Sequence, residues 1–189
     1  KKLKEKHSEL CRINAVNRQL AINEDANYLR SLGDVFITEP KNAGKLMRRS
    51  KETTVNSRGR LNKKKRFGRS IKNRCPSGFQ TAVEEKFKTT GGTYIEVPND
   101  YRASQYDHTA DEYIKKKLSD RMYRLADGTL VQRDWYSSFL LYCYDYRTKN
   151  IDRDRCISEF KKCYSKEEAL IKRIKINRIK VLNSGIKIA

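Results

Sequence analysis

The chain has 189 residues, of which 37% are hydrophobic and 35% charged, and its net charge is +20. That length suits one domain, or one domain with extensions, with a modest core under a heavily solvated surface. Five cysteines in an odd number with no CxxC pair, no signal peptide and no apolar run near the roughly 18 residues of a membrane span lead to the expectation of a soluble, cytoplasmic protein without membrane contact. Lys1 stands where an initiator methionine would, so a processed product or a fragment is expected.

Residues 1–32 read as a long helix. Leu3, Leu10, Ile13, Leu20 and Leu29 recur near helical spacing, no Gly or Pro interrupts them, and Gly33 suits a C-cap. "DVFITE" reads as a strand ending at Glu39, and Pro40 stops it. Residues 41–75 follow as a long basic loop, with a helical turn expected around 45–51. They hold fourteen Lys and Arg against the single acid Glu52. Charge this clustered points to a surface that binds phosphate.

"CPSGFQTAVEEKFKTTGG" reads as a helix. Pro76 stands at its start, Phe79, Val83 and Phe87 fall on one face, and Gly91-Gly92 end it. "TYIEVP" is a second strand, with Ile95 and Val97 favoured over Tyr94 and Glu96 as its inward pair. Residues 99–132 are polar and less regular. Asp127-Gly128 marks a hairpin between "MYRLA" and "TLVQ", and Tyr106, Tyr113, Leu118, Met122 and Tyr123 are the residues expected to pack this segment. "RDWYSSFLLYCYDYR" reads as a helix with Trp135, Phe139, Tyr142 and Tyr146 on one side. A basic helical tail follows, broken near 183–185, with thirteen Lys and Arg against five acids; Cys156 and Cys163 are read there as small apolar residues sharing a helix face. The order of elements is α/β, with parallel strands joined by helices.

Two carboxylates stand where such folds gather chemistry: Glu39 at a strand end and Asp134 at a helix start. Meeting there, they could bind Mg²⁺, which takes hard oxygen ligands and substrate phosphate. Spacing alone leaves the ordinary alternatives open, a helix cap for Asp134 and an ion pair for Glu39. Arg133 could touch phosphate or form a salt bridge. Lys115–Lys117 could extend a basic groove or be solvated. His108, read at a surface turn between Asp107 and Asp111, has no second ligand pair at zinc spacing.

"DVFITEP", the basic loop, "TTGGTYIEVP", "ASQYDH" and "LSDRMYRLADGTLVQRD" together resemble the C-terminal half of TnpB/OrfB-type transposase-associated proteins, relatives of type V CRISPR effector nucleases. The resemblance covers about residues 1 to 146. It implies an RNase H-like, RuvC-type fold and a metal-dependent DNA endonuclease guided by RNA, with DNA and guide RNA as partners and Mg²⁺ as cofactor. It places Glu39 and Asp134 as catalytic, metal-ligating acids. The family's "DRD" reads Gln132-Arg133-Asp134 here, so its first acid is replaced. The family's earlier Asp has no counterpart, and hydrolysis then depends on an upstream segment. The cysteines of the family's zinc ribbon fall on Asp107, Ala110, Arg124 and Asp127, so zinc is not expected.

The division implied is a RuvC-like segment over 1–98 with its basic loop at 41–75, a degenerate zinc-ribbon-like insert over 99–132, a final RuvC-like helix over 133–146 and a basic helical tail over 147–189. Lys45, Arg48, Arg49, Arg58, Arg60, Lys63, Lys64, Lys65, Arg66, Arg69, Lys72, Arg74 and Arg133 are the candidate nucleic-acid contacts. With Phe67 the only aromatic in the loop, that contact is expected to be electrostatic and blind to sequence. The competing expectation is a non-catalytic nucleic-acid-binding module, or an inactive transposase remnant.

Overall fold

The computed structural model describes residues 2–40, 43–47, 53–62, 68–117, 119–181 and 184–188; of Lys45, Leu46 and Arg69 it describes the backbone alone. Arg48, Arg49, Lys63, Lys64, Lys65 and Arg66, like Leu118, lie outside the described residues. The chain divides into two compact units. One comprises Lys1–Phe36 with Pro40–Glu96, the other Ile37–Glu39 with Val97–Ala189.

The first unit is built on two helices. Helix α1 (Lys2–Leu32) has the predicted extent. Helix α4 (Pro76–Thr89) begins with Pro76 at its first turn, after Cys75 in a left-handed conformation (φ 49°). Val83 and Phe87 are fully buried and Phe79 packs beside them, so the expected face of α4 is the inner one. The face expected for α1 is not. Leu3, Leu10, Ile13 and Leu20 are exposed, and the buried positions are Ile22 and Ala26, because α4 packs against the second half of α1.

Arg30 ties this unit together. Its guanidinium donates to the Thr90 hydroxyl (2.8 Å) and carbonyl (3.0 Å) and to the Asp34 carboxylate (2.7 Å), and lies 5.5 Å from the Phe87 ring centre. One side chain thereby satisfies the end of α4 and the entry to the next strand, and covers the core aromatic.

Strand β1 (Val35–Thr38) pairs with β2 (Thr93–Glu96). The Thr93 N–H donates to the Asp34 carbonyl and the Val97 N–H to the Thr38 carbonyl. Both strands therefore advance in the same direction, as expected for a helical crossover. Val97, directly after β2, is buried, while Tyr94 within it packs against Phe36 (ring centres 5.8 Å apart), so the inward residues here come from both predicted pairs. The stretch read as a basic loop carries two short helices, α2 (Ala43–Met47) and α3 (Gly68–Arg74). Between them, a turn is closed by a bridge from Val55 to Leu61.

The second unit starts with short pieces: a 3₁₀ turn at Ala103–Gln105, a hairpin of β3 (Tyr106–Asp107) and β4 (Glu112–Tyr113), and a hairpin of β5 (Met122–Arg124) and β6 (Leu130–Gln132). The second hairpin turns at Asp127-Gly128 as predicted, with Gly128 at φ 89° and the Asp127 carboxylate accepting from the Thr129 N–H. Tyr106 is buried and Tyr123 packs on the core, but Tyr113 is exposed, its ring centre 5.0 Å from that of Tyr106.

Helix α5 (Arg133–Tyr142) ends earlier than expected. Tyr142 and Tyr146 are exposed, and a hairpin of β7 (Tyr144–Asp145) and β8 (Asn150–Ile151) intervenes. The Asp145 carboxylate accepts from the Arg147 N–H (2.8 Å) and the Thr148 hydroxyl (3.0 Å), offering the backbone a turn instead of another helical turn.

Helix α6 (Arg153–Ile176) starts at Asp152, whose side chain accepts from the Arg155 N–H. The stretch read as a tail is part of the core. Cys156 is buried against Cys143, Cys163 packs beside the cluster, and Phe160 lies 5.4 Å from Phe139 and 5.4 Å from Tyr164. The fold is thus mixed helix and sheet. Among the described residues its sheets have two strands each, and the expected parallel pairing holds for β1 and β2 while the other three are antiparallel hairpins.

Truncating Phe87 to Ala should cost about 3–5 kcal/mol by cavity formation. Leu10→Ala, on the exposed half of α1, should change stability by no more than about 0.5 kcal/mol. Urea unfolding of both variants checks this, and equal losses would show that the Leu10 face is covered in solution.

Candidate nucleic-acid interface and acidic site

Asp134 stands in the first turn of α5, but it does not cap the helix. Gln132 does, its Oε1 accepting from the Trp135 N–H at 2.6 Å. Gln132 thus has a structural task, and the Asp134 carboxylate is left facing outward with its side chain 60% exposed. It accepts from Arg133 Nε (3.2 Å) and Nη2 (3.1 Å) and from Gln132 Nε2 (3.3 Å), and Arg121 Nη1 lies 3.9 Å away. The salt bridge raised as the alternative role of Arg133 is formed.

Glu39 follows β1 and belongs to the same unit as Asp134. It is half-buried and makes no ion pair among the described residues. No group of three or more His, Cys, Asp or Glu side chains able to hold a metal occurs among the described residues. Glu39 and Asp134 offer hard oxygens of the kind Mg²⁺ takes, but two carboxylates, one already matched by two guanidiniums, do not make a Mg²⁺ site by themselves.

The basic stretch presents its described cations to solvent. Arg58 and Arg60 flank Gly59 on an exposed turn, whose backbone is fixed by the Asn56 side-chain oxygen accepting from the N–H groups of both arginines. Lys72 and Arg74 are exposed in the last turn of α3. Lys45 and Arg69 sit on α2 and α3. Lys116 departs from the expected basic run. Its Nζ is turned inward, 3.5 Å from the Tyr123 ring centre, and burial pushes the amine down to about 8.

His108 is buried, not at a surface turn. Its Nδ1 shares a 2.7 Å hydrogen bond with the Tyr136 hydroxyl, and its ring packs 4.6 Å from Phe160. Beside it, Asp107 is 2% exposed. The Asp107 Oδ1 accepts from the Thr109 N–H (2.9 Å) and hydroxyl (2.7 Å), and Oδ2 accepts from the Ala126 N–H (2.9 Å). Burial works to raise this carboxyl's pKa. The Thr109 hydroxyl and the N–H groups of Ala126, Thr109 and Ala110 outweigh it and hold the group below the usual range. One carboxylate therefore joins the turn after β3 to the turn between β5 and β6.

Sequence reasoning missed Glu167. It lies 4% exposed on α6, at the wall of a cavity of about 320 Å³ that Gln132, Asp134 and Trp135 also line. Leu170, Ile171 and Ile174 continue the same α6 face at i+3, i+4 and i+7, making that wall apolar. Burial pushes the Glu167 carboxyl up to about 7, against the Gln132 N–H that favours its ionised form and with Glu168 adding to the rise. Its Oε1, itself sealed from solvent, has no hydrogen-bond partner among the described residues. The signal was available in the sequence: an acid at helical spacing from an apolar stripe, on a helix set aside as a tail.

The chain matches no known family model, and comparison with curated proteins finds no significant match. No helix among the described residues is long and apolar enough to cross a membrane.

Asp107→Ala strands buried donors in two turns and should cost about 3 kcal/mol or more, read as a lowered melting temperature. Glu167 acts in the opposite sense with pH. Its folded-state pKa is raised, so its contribution is complete below the ordinary carboxyl value and is lost as pH rises through about 7. Glu167→Gln should therefore be more stable than the parent at pH 8, by about 3 kcal/mol, and nearly equal to it at pH 4.5. Parallel melts at the two pH values test this; a difference independent of pH would refute the assignment.

Proposed function

We propose that the chain is the C-terminal part of a TnpB/OrfB-like, RuvC-type DNA endonuclease guided by RNA, and that its own contribution is to hold nucleic acid. The observation that carries the binding reading is the charge. Fourteen cations fall within residues 41–75, and the described members with described side chains (Arg58, Arg60, Lys72 and Arg74) are exposed without acidic partners among the described residues. In the second unit, Arg121 and Arg133 bracket Asp134. Phosphate is the ligand class these groups suit, because neutralising it releases condensed counterions. By the resemblance, Glu39 and Asp134 are two of the acids of an RNase H-like Mg²⁺ centre, and the intact protein would supply the remaining acid from upstream. The exposure of Asp134, relieved of capping by Gln132, supports keeping it in that role.

The second reading, a module that binds and never cuts, is favoured by the guanidiniums on Asp134 and by the incomplete acid set. Both readings require binding. A fluorescent 20-nucleotide single strand, DNA or RNA, should bind at low salt and lose at least about tenfold in affinity between 50 and 200 mM salt. Replacing Arg58, Arg60, Lys72 and Arg74 by Ala should weaken binding and flatten the salt dependence. Absence of binding at low salt would end both readings. Cleavage of that strand in the presence of Mg²⁺, abolished by Glu39→Gln or Asp134→Asn with binding retained, would decide for the nuclease.

A further inference from the structure

Among the described residues, nothing covers the first half of α1. Every residue from 2 to 17 is exposed, and α4 packs against the second half, where Ile22 and Ala26 are buried. A helical stretch this short is marginal in water on its own, and this one includes Asn14, Val16 and Asn17, which favour a helix only weakly. Its apolar side chains are ordered along it. Leu3, Leu10, Ile13 and Leu20 are 40% to 84% exposed. With Lys6 and Asn17 they follow one another in alternating steps of three and four residues. That is the a/d seam of a coiled coil. At 3.6 residues per turn the seam lies on the opposite side of α1 from Ile22 and Ala26. Arg18 is turned away from it, donating to the Asn73 carbonyl at 3.0 Å.

The seam is complementary to itself when a second copy runs antiparallel. Setting Leu10 against Ile13 of the second copy also sets Leu3 against Leu20 and Lys6 against Asn17. Each of these pairings occurs twice, as a two-fold axis requires. The polar layer is satisfied, because the Lys6 ammonium donates and the Asn17 amide oxygen accepts. A parallel pair would instead set Lys6 against Lys6, two like charges in one layer. The flanks agree with the antiparallel choice. His7, Glu9, Asn14 and Val16 border the seam, so no Lys or Arg stands among them, and Glu9 already pairs with Arg12 at 2.7 Å. The surplus positive charge of the chain lies elsewhere in the sequence, in residues 41–75 and 147–189. A seam from 3 to 20 is short for a coiled coil, so the dissociation constant is expected on the order of 10 µM.

We propose that α1 joins two copies of this chain as an antiparallel helix pair along Leu3, Leu10, Ile13 and Leu20, with Lys6 of each copy meeting Asn17 of the other. The first half of the helix then gains the kind of support that α4 gives the second. The small cost assigned above to Leu10→Ala holds for the dissociated chain, well below that concentration. Dimerisation does not rest on the nucleic-acid reading. Where that reading holds, the pair also carries two sets of the 41–75 cations in one particle and gains avidity for a long polyanion.

The test is sedimentation velocity on the whole chain, freed of nucleic acid, from about 1 to about 200 µM. The sedimenting species should pass from the monomer to twice its mass across that range. Raising salt from about 0.15 to about 0.5 M should tighten the association by screening the net charge of +20, the reverse of its effect on phosphate binding. Leu10→Asp should raise the dissociation constant at least about a hundredfold, and Ile13→Asp should do the same. Ser8→Asp puts the same charge on the opposite face and should change it by no more than about threefold. Lys6→Leu combined with Asn17→Leu should dimerise at least about tenfold more tightly than the two single effects together predict, because the two positions meet only in the antiparallel pair. That last measurement reads a gain of association, so a folding defect in the Asp variants does not decide the result. A monomer at every concentration overturns the proposal and leaves the face to a different occupant. Association that survives both Leu10→Asp and Ile13→Asp overturns it too, as do additive effects of Lys6→Leu and Asn17→Leu.

Discussion

Strands of two or three residues cannot hold a fold by their own ladders, and the described residues of 99–132 form nothing longer. What fixes it is the carboxylate of Asp107. Both its oxygens are used, one within its own turn and one across to Ala126, so the carboxylate links the two hairpins at a buried point. Backbone N–H groups and the Thr109 hydroxyl do the joining, with no other ion in the link. The consequence reaches the functional face. Strand β6, held in this way, delivers Gln132 to cap α5, and the cap sets the direction of Asp134.

Above that junction the core is aromatic. Tyr136 is fully buried, its hydroxyl meets His108, and Phe139, Phe160 and Tyr164 continue the packing onto α6. A 24-residue helix dense in Lys and Arg would gain little stability in water alone. The side chains that secure it are its few large apolar ones, and its cations remain outside. Charge density and structural importance are therefore separate properties of this helix, and the same face that builds the core also builds the wall of the cavity beside Asp134.

What the sequence discloses follows from how local each cause is. The extent of α1, the inner face of α4, the Asp127-Gly128 turn and the strand ending near Glu39 depend on residues close in sequence, and all are legible there. The inner face of α1 depends on where α4 lies, so Leu3 and Leu10 look like core residues and are exposed, while Ala26 looks unimportant and is buried. His108 and Glu167 fail for the same reason: each is buried by a partner 28 or more residues away, or by a segment beyond its own helix. The helix predicted through Tyr146 stops because Asp145 forms a turn, a competition that apolar periodicity does not register. The candidate site divides similarly. Asp134 and Arg133 are legible as a motif, but the guanidiniums facing the carboxylate and the cavity beneath it come from Arg121 and α6.

The state of Asp134 bears on both functional readings. A carboxylate facing two guanidiniums is neutralised without metal, and a divalent ion arriving there must compete with them or share the site with an anion that draws them off. A phosphate backbone is such an anion. If a strand engages Arg121 and Arg133, Asp134 loses its partners at the moment substrate arrives. Metal affinity would then rise with nucleic-acid occupancy, by the reciprocity that links any two ligands sharing a set of groups.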